Sequence, residues 1–185
     1  VKNNGKRKIW QLALLSGALT LAWLPAGSDE AEAVQTAAAR VDAATAVVAG
    51  RYLVIVGGCN DCHTGGWMQT GGSVPESEWL TGSPIGWQGP WGTTYAANLR
   101  LTVADMNEEA WVSMLHTRRD KPPMPWMNLN FLSEDDARAI YAFIKSLGKA
   151  GERMPAYVPP GTEPETPYLV MEPQHMERLA APPVS

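Results

Sequence analysis

The chain has 185 residues, with 15 Lys and Arg against 19 Asp and Glu, for a formal net charge of −4. A mildly acidic sequence without a basic patch interleaved with aromatics is not built to bind nucleic acid. It shows no internal repeat.

Lys2, Lys6, Arg7 and Lys8 open the chain and precede a mostly apolar run from Ile9 to Ala26. Ala31-Glu32-Ala33 then offers a small-x-small cleavage site before Val34, so residues 1–33 read as a secretory signal peptide. The competing reading is a retained membrane anchor. The run spans 18 residues (9 to 26), close to the lower limit for crossing a bilayer, and Gln11, Ser16, Gly17 and Gly27 weaken it. Either reading puts the remainder outside the cytoplasm. Cleavage would leave 152 residues (185 − 33), the size of one domain, with 11 basic and 16 acidic residues and a charge of −5.

The mature sequence begins alanine-rich and becomes apolar, and Ala44 to Val56 is expected to form a helix. It runs into Cys59-Asn60-Asp61-Cys62-His63, which holds the only two cysteines of the chain. C-x-x-C-H is the attachment sequence for a c-type haem. Thiols three positions apart lie on one side of a helical turn, where each can add to a haem vinyl group. The adjacent His63 can then place an imidazole nitrogen on the iron. A dithiol redox pair would want a βαβ frame, and zinc would want about four ligands. His116 and His175 are the only other histidines and stand singly. A structural disulfide would leave His63 without a role.

Gly65-Gly66 turns the chain away into an irregular stretch from Gly66 to Leu101, dense in Gly, Pro and Trp. A loop of that length needs something to pack against. A haem is such a surface: Trp67, Trp79, Trp87 and Trp91 can wall off its face, and an indole N–H can reach a propionate. The alternative is a small loop-built core of tryptophans.

Met106 to Thr117 and Ser133 to Leu147 are the next expected helices. In the second, Ser133 and Asp136 make a capping pair, Ala137, Ile140, Tyr141, Ile144 and Leu147 form one apolar face, and Gly148 stops it. Between the two lies Lys121-Pro122-Pro123-Met124-Pro125-Trp126-Met127. A thioether as sixth ligand raises the potential of a His-ligated haem, and flanking prolines lower the entropy lost on fixing it. Met124 is therefore the first candidate, Met127 its rival and His116 a third. Residues 149–185 are proline-rich without apolar periodicity, and read as a tail, extended or lying over the domain.

Cys59 to His63, Pro123-Met124-Pro125-Trp126, the lead-in Tyr52-Leu53-Val54 to Gly57-Gly58, Gly89-Pro90-Trp91-Gly92 and Tyr95-Ala96-Ala97-Asn98-Leu99 together resemble a class I c-type cytochrome domain. The same motifs together resemble the bacterial periplasmic cytochromes c associated with membrane-linked dehydrogenases. It covers roughly residues 46–148, and the domains are expected at 1–33, 34–148 and 149–185. The resemblance implies an all-α fold of three to four helices around one covalent haem, with His63 and Met124 as axial ligands. It also implies a proline carbonyl orienting the proximal histidine, with Pro90 and Pro84 both in contention. Such relatives often carry two or three domains, whereas this chain has one.

With both axial positions filled, no open site remains for substrate. The expected function is a single-haem electron carrier in the periplasm, soluble or a non-catalytic subunit of a complex, working with redox partner proteins. It would meet a membrane only if the N-terminal segment is retained. Arg118, Arg119 and Lys121 stand before the ligand loop, where they could steer an acidic partner. The alternatives are a haem sensor or haem enzyme with a displaceable distal ligand, and a dithiol oxidoreductase.

Overall fold

The structure is a computed structural model and describes residues 40–179. The expected signal segment, 1–33, lies outside the described residues. Among those residues there are six α-helices, three short strands and two 3₁₀ turns. No described helix is long and apolar enough to cross a membrane.

Helix α1, Ala46–Val56, starts where Thr45 Oγ1 accepts from Val48 N at 3.2 Å, a standard N-cap for an otherwise unpaired N–H. The one-turn helix α2 is Cys59–His63 and α3 is Leu99–Ala104. Helix α4, Glu108–Thr117, is capped by Asn107 Oδ1 on Ala110 N at 2.8 Å. The short α5 is Trp126–Asn130. Helix α6, Glu134–Ser146, begins at Ser133, whose Oγ accepts from Asp136 N at 3.1 Å. Three acidic residues fill its first turn and Lys145 its last, as the helix dipole favours.

Helices α1 and α6 form the principal pair of the core. They meet at Gly50, where an added Cβ would overlap the Ala139 carbonyl and lie 2.8 Å from Phe143 Cβ. Val54, Leu80, Val103, Leu115, Phe143 and Ile144 are essentially inaccessible around that crossing. Burying side chains of this size contributes about 1.5–3 kcal/mol each. Helix α4 joins through Trp111, whose Nε1 donates to Ala137 O at 3.0 Å. On the surface, Arg138 reaches Glu108 and Glu109 at 2.9 and 2.6 Å.

The expectation of an all-α fold needs correction. Strands β1, Gly86–Gly89, and β2, Gly92–Tyr95, make an antiparallel hairpin with Gly86 opposite Tyr95 and Gly89 opposite Gly92. Strand β3, Tyr168–Val170, lies parallel to β1, giving the order β2-β1-β3. A two-stranded hairpin is marginal alone in water, and here the C-terminal segment supplies the third strand. That segment runs across the domain: Thr93 and Val158 exchange N–H···O bonds of 2.8 and 3.0 Å, and Tyr157 Oη donates to Trp91 O at 2.8 Å. At its start, the buried Arg100 donates to Gly148 O and Ser77 O at 2.6 Å each, and to Leu147 O. It thereby satisfies carbonyls left unpaired at the end of α6.

Candidate functional site

Helix α1 delivers the cysteine motif. It closes with Gly57 N donating to Leu53 O at 2.8 Å, and Gly58 then takes a φ of 68°. That left-handed turn suits glycine, and a Cβ there would stand 3.1 Å from Asp61 Oδ2. The chain re-enters a helical turn at once, so Cys59, Cys62 and His63 share one turn of α2.

Both cysteines are half-buried and unpaired. Burial pushes the Cys59 thiol up to about 11, and burial with the Asp61 charge also raises Cys62. Reactive dithiols need the opposite, a thiolate stabilised near neutral pH. Among the described residues, no group of three or more His, Cys, Asp or Glu side chains is placed to hold a metal ion.

His63 is buried and donates its Nδ1 proton to the carbonyl of Ala97 at 2.7 Å. Burial lowers its pKa, while the Ala97 bond acts the other way. A neutral imidazole whose Nδ1 proton is committed carries its lone pair on Nε2, the state that binds a metal. The orienting carbonyl is neither Pro90 nor Pro84. Pro90 sits in the β1–β2 turn and both prolines are exposed.

The chain brings Ala97 to this position through residues 80–83. Gly82 N donates to His63 O at 2.8 Å and Leu80 N to Thr64 Oγ1 at 2.8 Å, fixing that segment on the motif. Its other side holds Ala96 and Leu99: Ser83 N donates to Ala96 O at 3.1 Å and Leu99 N to Leu80 O at 3.0 Å. Ala97 is held between those two bonds.

The methionine loop follows α4. Its backbone is fixed by Thr94 Oγ1 donating to Pro122 O at 2.8 Å and by Trp126 N donating to Met124 O at 2.9 Å. The Pro122–Pro123 bond is cis. The two candidate methionines differ in setting. Met124 is half-buried in the loop, whereas Met127 lies on α5 with 48% of its surface exposed. The charges of Arg118 and Asp120, at the start of the loop, act on the His63 imidazole in opposite senses. His116 is engaged elsewhere, with Nε2 donating to Leu132 O at 3.0 Å.

The tryptophans divide. Trp79 is a core residue, packed edge-on against Trp67 and Phe143 and donating from Nε1 to Val74 O at 2.8 Å. Trp91 is different, because its Nε1 is buried without a hydrogen-bond partner. The only comparable orphan among the described side chains is Asn60 Nδ2, inside the motif. Leaving such a donor unmet costs about 1–3 kcal/mol. Two half-buried thiols and a neutral oriented imidazole on one turn fit a haem with its vinyl groups and iron.

A family model for cytochrome c matches residues 47–148, more than half of the chain. The chain belongs to the cytochrome c family. No curated protein and no solved structure gives a match. Membership makes this cytochrome a haem-based electron-transfer protein with covalently bound haem c, in a family that is generally not enzymatic. The matched span ends at the last helix, so β3 and the strap of chain leading to it lie outside it. Sequence reasoning passed over Ala97, because a backbone carbonyl leaves no side-chain signature. The one available sign was Asn98, an N-cap residue directly after it.

Proposed function

We propose that this cytochrome is a single-haem electron carrier of the periplasm, either free or as the carrier subunit of a dehydrogenase or respiratory complex. Cys59 and Cys62 would hold the haem through thioether bonds, His63 and Met124 would ligate the iron, and Trp91 would donate to a propionate. The observation that carries this reading is His63: a buried, neutral imidazole, oriented by Ala97 and sharing one turn with both thiols.

When bound, the haem supplies a one-electron couple, and the chain tunes and shields it. The Ala97 carbonyl makes the imidazole a stronger donor. A thioether favours the ferrous state, and the proline-flanked, anchored loop keeps it in place. Filling both axial positions excludes exogenous ligands, which separates a carrier from a sensor. Arg119 and Lys121 are exposed next to this loop, stacked on Trp126 and Tyr157 at 4.5 and 4.9 Å. With Phe131, 88% exposed at the end of α5, they would form a rim for an acidic redox partner.

The test is spectroscopic. Acid–acetone extraction should leave the haem on the protein, one per chain, and the reduced protein should not bind carbon monoxide. Extractable haem would end the covalent reading, and rapid carbon monoxide binding would favour the sensor.

A further inference from the structure

The proximal histidine is tied, through one amide, to a part of the chain that the family match does not reach. Asn98 is buried and uses its whole side chain. Its Oδ1 accepts from Leu101 N at 3.1 Å, starting α3. Its Nδ2 donates to two carbonyls of the C-terminal segment, Ala150 O at 2.8 Å and Glu152 O at 3.1 Å. The amide orientation is unambiguous, because a backbone N–H can only donate and carbonyls can only accept.

The two carbonyls converge because Gly151 between them takes a φ of 69°. A Cβ there would stand 3.1 Å from Asn98 Nδ2 and 3.3 Å from Thr81 Cβ. Directly before Asn98 comes Ala97, whose carbonyl receives the His63 Nδ1 proton. Met154, further along the same segment, packs on Gly82, the residue bonded to His63 O. The segment thus braces both backbone groups that hold His63.

We infer that Asn98 is a positioning residue through which the C-terminal segment sets the hydrogen bond on His63, and so the reduction potential of the iron. This rests on the reading of His63 as an axial ligand. A firm Nδ1–H···O=C bond makes the imidazole more basic and favours the ferric state. Loosening Ala97 should therefore raise the potential.

Two holoprotein variants approach the contact from opposite sides. Asn98→Ser keeps an N-cap oxygen for α3 but removes both donors to the segment. Gly151→Ala leaves Asn98 intact and strains the turn that presents the carbonyls. Potentiometric titration of each should show an upward shift, and NMR should show faster exchange of the His63 Nδ1 proton. Because both break one contact, the double variant should shift no further than the larger single one. Tyr95→Phe, which loses a different tie to the segment at Thr166 (2.9 Å), should leave the potential in place. If Asn98→Ser does not take up haem, Gly151→Ala carries the comparison alone. A lower melting temperature with an unmoved potential would overturn the proposal, as would an equal shift in Tyr95→Phe. An unaltered protein whose spectrum shows no iron-bound imidazole would instead remove the ligand assignment beneath it.

Discussion

Gly50 touches Ala139 backbone to backbone: where α1 crosses α6, no side-chain atom fits between the glycine Cα and the alanine carbonyl. The haem motif hangs from the end of α1, so this contact places the cysteines relative to the rest of the core. An alanine at position 50 would raise helix propensity by about 1 kcal/mol, yet its Cβ would force the helices apart, an overpacking cost of about 1–3 kcal/mol. Gly50→Ala should therefore be destabilising, and Gly50→Val more so, by about 3 kcal/mol. Denaturant titration of the holoprotein measures both. A Gly50→Val protein as stable as the unaltered one would mean that the crossing is looser than described.

The two methionines give opposite expectations. Met124→Ala should abolish the methionine-to-ferric-iron charge-transfer band, lower the potential and open the iron to carbon monoxide, since a soft ligand is lost. Met127→Ala, on the exposed side of α5, should leave all three unchanged. The reverse pattern would move the distal ligand to Met127.

For Trp91, the question is whether its buried indole N–H acquires a charged acceptor in the loaded protein. Hydrogen bonds to charged groups contribute about 1.5–3 kcal/mol. Trp91→Phe should lower the holoprotein's stability by about 2 kcal/mol while preserving haem attachment. An unchanged denaturation midpoint would show that the N–H gains nothing from the haem.

A chain ending at Gly151 should still attach haem, because Cys59, Cys62 and His63 are held by α1 and residues 80–83. It would lose β3, the Thr93–Val158 pair and the Tyr157–Trp91 bond. At about 1 kcal/mol for each lost hydrogen bond, several together should lower Tm by roughly 10 °C. Failure to mature would make the segment part of the folding nucleus.

The longer helices were legible because their signals are local. Thr45, Asn107 and Ser133 mark the starts within one or two residues of where periodicity put them, and Gly148 marks the last stop. The motif itself needed only five residues. Helices α3 and α5 were missed because six and five residues cannot display a period. The strands were missed for a different reason. β1 and β2 are four residues each and rich in glycine, and β1 gains a second neighbour only from Tyr168–Val170. Such distant pairings write no pattern into either segment. The same limit hid the histidine's acceptor: the resemblance suggested a proline, whereas the fold places the backbone of Ala97 there.

The parallel pairing of β3 with β1 also bears on the order in which the molecule opens and closes. Its partners, such as Gly86 and Tyr168, lie far apart in sequence, so their loop-closure entropy is large and the pairing forms late. Tyr168–Val170 is short and largely exposed, which makes it the first strand to detach. Amide exchange should therefore divide the molecule into two tiers, a slow one centred on α1 and α6 and a fast one comprising β3 and its approach. Haem attachment at Cys59 and Cys62 would then precede the pairing of β3, and the segment would latch over a finished centre.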